Sequence, residues 1–353
     1  MRIVDAHHHL WDPIANPHPW LRDEPPPAFR YGDTRPLRRR FLPEEYDAAT
    51  AGWDVAASVT MEGEWDPADP TGEAVWMQAL ARRTGRPAAH AAQAWLDRDD
   101  LDAVLEIYAG LPLVRSVRHK PRATAAPGQG RGGLSDPAFR RGFARLAGTG
   151  LLFELQTPWW HLDEAADLAA VAPEVTIVLN HAGLPGDRSE EGLAGWRAAM
   201  RGFAGLPNAL VKISGLGLPD RPWRIEDNRD LIRFVVDVFG PERAMFASNY
   251  PVDGLCGSFA TIYRGFDAAT ADRAERDRCA LFHDTAARAY GLAVERDEDG
   301  DGRQTPGGAH RPGSDGGGNG AAPDGGRASH DGARPPPPRG GGRAADRGCV
   351  RGA

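Results

Sequence analysis

Lysine is almost absent from this chain: of 42 basic residues only two, Lys120 and Lys212, are lysines. Arginine carries positive charge wherever charge alone suffices, so a retained lysine marks a place where a compact ammonium does what a planar guanidinium cannot. Cysteine is scarce as well. Cys256, Cys279 and Cys349 are far apart and form no paired ligand motif, which argues against a disulfide framework or a zinc ribbon and points to a reducing, cytoplasmic setting. No apolar run is long enough to span a bilayer, and the opening MRIVDAHHH holds no apolar leader. Neither a membrane partner nor an export signal is therefore expected. Nor is there an excess of positive charge: a formal net charge of −7 argues against a nucleic-acid partner held by counterion release.

What is present is 353 residues, 41% of them hydrophobic, enough for a substantial soluble core. Short β-type runs at 2–8, 56–61, 89–94, 114–118, 151–156, 176–180, 209–214 and 244–248 alternate with helical stretches. The helical stretches lie at 73–84, 101–109, 136–149, 163–171, 192–205 and 228–239. In 73–84, Val75, Trp76, Ala79 and Leu80 make the expected apolar face. Asp136 ahead of Pro137 reads as an N-cap followed by a proline at the first helical position. This alternation predicts an α/β fold, a (β/α)8 TIM barrel, as a single domain over residues 1–293. A doubly wound open sheet for nucleotides would place a glycine-rich loop after its first strand, and none is there. Residues 294–353 turn to Gly, Pro, Arg and Asp without apolar periodicity, the composition of a disordered tail with no catalytic residue or, equally, of a read-through or frameshifted extension.

Active groups of such a barrel sit at the C-terminal ends of its strands. Those ends carry Asp5, His7 and His9; Glu62; Arg118, His119 and Lys120; Glu154 and Gln156; Asn180 and His181; Lys212 and Ser214; then Asn249 and Asp253. Both rare lysines are in this set. Side chains alternate along a strand, so His7 and His9 point one way and His8 the other. Such an i, i+2 pair chelates a metal or hydrogen-bonds a substrate.

The strings VDAHHHLWDP, LVRSVRHKP, IVLNHAGLP, ALVKISGL, MFASNYPVD and FHDTAARAYGL, between residues 2 and 292, resemble the amidohydrolase-related family. Within it they are similar to the TIM-barrel hydrolases that include sugar lactonases and 2-pyrone-4,6-dicarboxylate lactonase. The resemblance implies a site built on His7, His9, His181 and an eighth-strand aspartate, where this chain has Asn249. The fifth-strand histidine of zinc-dependent members is also missing, with Glu154 and Gln156 in its place. A neutral amide is a weak zinc donor, so the implied enzyme needs no cofactor. A single divalent ion such as zinc on His7, His9 and His181 is the alternative.

The implied reaction is hydrolysis of a small-molecule lactone. His7, His9 and Lys212 would polarise the carbonyl, and either Asp253 or His181 would deprotonate water. Arg118, His119, Glu154, Gln156 and Asn249 would bind substrate; for the cations among them, internal ion pairs to Glu154 or Glu62 are the competing role. Trp11 and Trp159, with Trp160 and Trp223, would wall the mouth, and 13–36 is long enough to form a lid. A metal-dependent decarboxylase of aromatic acids, or a barrel that binds a small acid without turnover, are the competing functions. Removing residues 294–353 should leave the melting temperature and turnover unchanged, as circular dichroism and an activity assay would show.

Overall fold

The computed structural model describes residues 1–27 and 29–294. The tail expected from 294 onward lies, from 295, outside the described residues. Eight parallel strands follow one another around a barrel in chain order. They are β1 (Ile3–His8), β2 (Val55–Met61), β3 (Ala89–Gln93), β4 (Val114–His119), β5 (Leu152–Leu155), β6 (Ile177–Leu179), β7 (Ala209–Ile213) and β8 (Ala244–Phe246). Each agrees with its predicted run to within two residues. Past the end of β8, the His9 amide donates to the Tyr250 carbonyl and the Asn249 amide to the His7 carbonyl, both at 2.7 Å. These bonds close the sheet on itself. Among the described residues no helix is long and apolar enough to cross a membrane.

The helices pack their apolar stripes on the outside of this barrel. Glu190–Ala204 buries Trp196, Met200 and Phe203, spaced as one helical face, and Ser189 caps it by accepting from the Gly192 amide. Pro137–Ala144 starts as predicted, with Asp136 accepting from the Ala138 amide. Helices Pro43–Ala49 and Phe259–Thr270, after β1 and β8, escape the sequence pattern. In Gly72–Thr84 the buried face is not the expected one: Ala74, Met77 and Leu80 go in with Glu73 and Gln78, while Val75 is exposed. The rotation has a polar cause. Glu73 accepts from the Gly63 amide at 2.7 Å and Gln78 from the Leu113 amide at 3.0 Å, satisfying loop N–H groups that burial would otherwise strand.

Inside the barrel, Val4, Ala6, Ala57, Val59 and Met245 cluster with Tyr290 from the helix Thr285–Tyr290. The small alanines leave room for that phenol. The helix closes the end of the barrel where the strands begin, beside Leu152 and Leu210.

One irregularity in β1 sets up the site. Asp5 pairs with Ser58 and His8 with Thr60, so β1 advances three residues while β2 advances two. This bulge breaks strict alternation. Asp5, expected in the mouth, instead faces the helices, where Tyr46, Tyr263 and the Ser248 hydroxyl and amide all donate to its carboxylate. His8 turns the same way and stacks on Tyr46 at 4.1 Å, while His7 and His9 turn inward. Asp5→Ala would strand four donors and loosen the seam between β1 and the end of β8. A loss of roughly 3 kcal/mol or more is expected in urea unfolding, from one to three per orphaned buried group with partial relaxation.

Candidate active site

Three imidazoles lie at the inner end of the mouth. His7 and His9 place their Nε2 atoms 3.4 Å apart, and the His181 ring centroid is 4.6 Å from that of His7. His9 Nδ1 lies 3.2 Å from the Met61 carbonyl, which requires the proton there and leaves the lone pair on Nε2. His181 Nδ1 meets the Ser214 hydroxyl at 2.9 Å. All three are pushed well below the ordinary imidazole range, first by burial and then by neighbouring charges, including Arg118 in every case. They are neutral at pH 7.

Two of the residues that shape the mouth sit in left-handed backbone: His181 at φ 54° and Asn249 at φ 52°. Non-glycine residues held there store strain that the surrounding structure must offset. Gly215, itself at φ 64°, makes the His181 geometry possible, because a Cβ on it would fall 2.6 Å from His181 Nδ1.

A cavity of about 320 Å³ opens above, lined by His9, His181, Asn249, Gln156, Arg118 and Lys120, with Trp20, Phe29 and Arg30 from the 13–36 segment. That segment does cover the mouth as expected of a lid. His18 and Trp20 fix it to the loop after β2 through contacts of 3.0 and 2.8 Å to the Gly63 carbonyl. Arg118 donates to the Glu62 side chain, the Glu62 carbonyl and Gln156. Burial would raise the Glu62 carboxyl, but Arg118, Lys120 and the Glu64 amide outweigh it and hold it at about 2.

Several expected site residues are elsewhere. Lys212 lies one layer down, fully buried, paired with Glu154 at 2.9 Å and donating to Met61 Sδ. Neither member of this pair lines the cavity, so the structure sets both back from the expected positions for polarising a carbonyl or binding substrate. Glu154 also accepts from Ser116, Asn180 and Tyr290, which saturates its oxygens. Burial lowers the Lys212 ammonium to about 8 against the pull of Glu154.

Asp253 sits behind Asn249, accepting from its amide nitrogen at 2.6 Å and from the Gly215 amide at 3.0 Å. Burial raises it to about 6 although Arg30 and these donors favour the carboxylate. Its effect is to turn the Asn249 Oδ1, a buried acceptor with no protein partner, away from itself. His119 leaves the inner mouth too, accepting from the Leu96 amide and packing on Phe139.

The tryptophan wall is also different. Trp11 is core, donating to the Arg39 carbonyl. Trp159 and Trp160 lie over the helix Glu190–Ala204 in a separate surface hollow, and Trp223 packs on Phe266. Trp20 and Phe29 take their place. Arg30 and Tyr290 were missed entirely; the quoted motif FHDTAARAYGL held the only signal for Tyr290.

Whether the site suits a metal turns on its donors. The 3.4 Å His7–His9 spacing and the His9 bond to Met61 O suit a two-imidazole chelate. Yet among the described residues no three His, Cys, Asp or Glu side chains converge on one point. The nearby carboxylates are already committed, Glu62 to Arg118 and Glu154 to Lys212. As arranged, these residues do not make a complete metal site.

A parallel eight-stranded barrel with a His-x-His pair at the end of β1 and its polar chemistry at the C-terminal mouth defines a TIM-barrel protein of the amidohydrolase type. The sequence model of the Amidohydrolase family matches residues 4–292, and the chain belongs to that family. Uncharacterized protein y4mH of Sinorhizobium fredii is 34% identical over 293 residues, 82% of this chain and 98% of its own length. An L-fucono-1,5-lactonase of Burkholderia multivorans is 28% identical over 308 residues, 83% of this chain and 97% of its own. A crystallised amidohydrolase from Burkholderia multivorans, solved once with bound Hepes and once with bound zinc, superposes with a TM-score of 0.69 at 27% identity. It is matched over 83% of this chain and its full length.

The buried pair below the histidines supplies a prediction. Lys212→Met leaves Glu154 charged and unpaired and should cost roughly 3–5 kcal/mol. Adding Glu154→Gln should recover much of that loss, a coupling that a double-mutant cycle in urea would measure.

Proposed function

We propose that this chain hydrolyses the ester bond of a sugar-acid lactone, a small-molecule substrate, without a required metal. The observation that carries the reading is a neutral His181 on the wall of a cavity that is also lined by Asn249 and the cations Arg30 and Arg118. The lactonases among its relatives support the choice of substrate class.

In this mechanism a water sits in the cavity against His181, with Asn249 on the same wall. His181 takes a proton as the water oxygen bonds to the lactone carbonyl carbon. The charge that develops on the carbonyl oxygen is stabilised by Arg118 and Arg30, fixed cations in a partly dry cavity. Collapse breaks the ring C–O bond, and the proton held on His181 passes to the departing alkoxide. The hydroxy acid formed ionises at pH 7, so each turnover releases one proton. His9 and His7 shape the floor, and Asp253 positions Asn249. Of the two bases open from the sequence, His181 is the one this mechanism uses, supported by its place in the cavity lining.

A pH-indicator screen of sugar 1,5- and 1,4-lactones should detect turnover, and none across the panel would sink the reading. Activity should survive chelation. Loss to a chelator with restoration by zinc would favour a metal on His7 and His9, the reading that the zinc-bound relative supports. His181→Asn should lower kcat/KM about 10²–10⁴-fold. The profile of kcat/KM against pH separates the bases. His181, held well below 6.5, keeps the rate level as pH falls through 6. A direct role for Asp253 would give half-maximal rate near pH 6, its raised value.

A further inference from the structure

The cavity above His181 does not end at the substrate's first ring. Past Glu62 and Arg118 it continues into an outer lobe of about 510 Å³, larger than the 320 Å³ inner one. A six-membered lactone is accommodated by the inner lobe alone, so the outer lobe is surplus to the reaction proposed above. Its walls are not a random surface. Trp20, Trp65 and Trp95 line it, from three different loops, together with Gln93, His119 and Lys120.

Chemically this combination suits a sugar ring. Aromatic side chains offer flat apolar area, while an amide, an imidazole and an ammonium offer directed hydrogen bonds. A pyranose ring presents the matching pair, C–H faces and hydroxyl edges. His119 is preset for this: Nδ1 accepts from the Leu96 amide at 3.1 Å, so its proton is on Nε2. Lys120, one of only two lysines, stands where the lobes meet and lines both. It is paired there with Glu64.

The geometry points to a second sugar subsite in the outer lobe, so that the substrate is the lactone of a glycosylated sugar acid rather than of a single sugar. This rests on the lactonase reading of the inner lobe. It also explains why the lid reaches so far: Trp20, tied to the Gly63 carbonyl, is a wall of both lobes.

The test compares glucono-1,5-lactone with the 1,5-lactones of oxidised cellobiose, maltose and lactose, with a phenyl-substituted δ-valerolactone as an aryl control. At least one disaccharide lactone should show kcat/KM about ten-fold or more above the monosaccharide, since remote binding energy is spent at the reacting centre. Trp95→Ala should abolish that gain and leave glucono-1,5-lactone unaffected. Trp95→Phe, which keeps a ring, should restore most of it and so exclude a folding defect. Equal kcat/KM for both classes, an equal loss on both in Trp95→Ala, or a larger gain with the phenyl lactone would each overturn the sugar subsite. If no lactone is turned over, the hydrolytic reading fails, and calorimetry with methyl cellobioside and methyl maltoside judges the subsite separately. Binding weakened about ten-fold by Trp95→Ala upholds it, and absence of binding overturns it.

Discussion

Closing a sheet on itself requires the last strand to find the first, and here that contact is made by very few groups. The Asp5 carboxylate gathers the Ser248 amide and hydroxyl, and just beyond it Asn249 and Tyr250, in the segment after β8, exchange backbone bonds with His7 and His9. The seam and the site are therefore the same place. Every inward-facing group of β1 depends on Asp5 facing outward, and the bulge at Ala6 and His7 is what reconciles the two demands. A β1 without that extra residue would put Asp5 and His7 on one side and lose either the seam or the imidazoles.

Above this seam the charges are layered. Lys212 and Glu154 pair in the fully buried layer, Arg118 and Glu62 in the layer that touches the cavity, and Lys120 and Glu64 at the partly exposed rim. Charges taken out of water need partners and further hydrogen bonds, and Glu154 has three besides its lysine. Burial first, and then the cations nearby, keep His7, His9 and His181 neutral, which is the protonation state a water-activating base needs. Tyr290 belongs to the same stack, reaching Glu154 from the opposite end of the barrel.

Much of this was legible in the chain. Eight apolar runs and their spacing led to the barrel, and the strand-end rule brought His7, His9, His181, Arg118, Gln156 and Asn249 together. It failed for depth. Lys212 and Lys120 both follow strand positions, yet one is sealed beneath the histidines and the other stands at the rim. Alternation gives the side of a strand but not the layer, and it misled at Asp5 because a bulge carries no local signature. The tryptophans misled for a related reason: a loop tryptophan packs wherever its own loop folds back, so Trp11 went to the core and Trp159 onto the helix Glu190–Ala204.

What the sequence by itself determined is the fold class, the family and the identity of the imidazoles, because periodicity and local motifs are properties of neighbours along the chain. The tertiary structure alone decided which groups face the cavity. Asp253 became the support of Asn249, Arg30 entered from the lid, and the cavity acquired a second lobe walled by Trp20, Trp65 and Trp95. Those outcomes depend on contacts between residues tens to hundreds of positions apart, fixed only when the barrel closes and each buried polar group must find a partner.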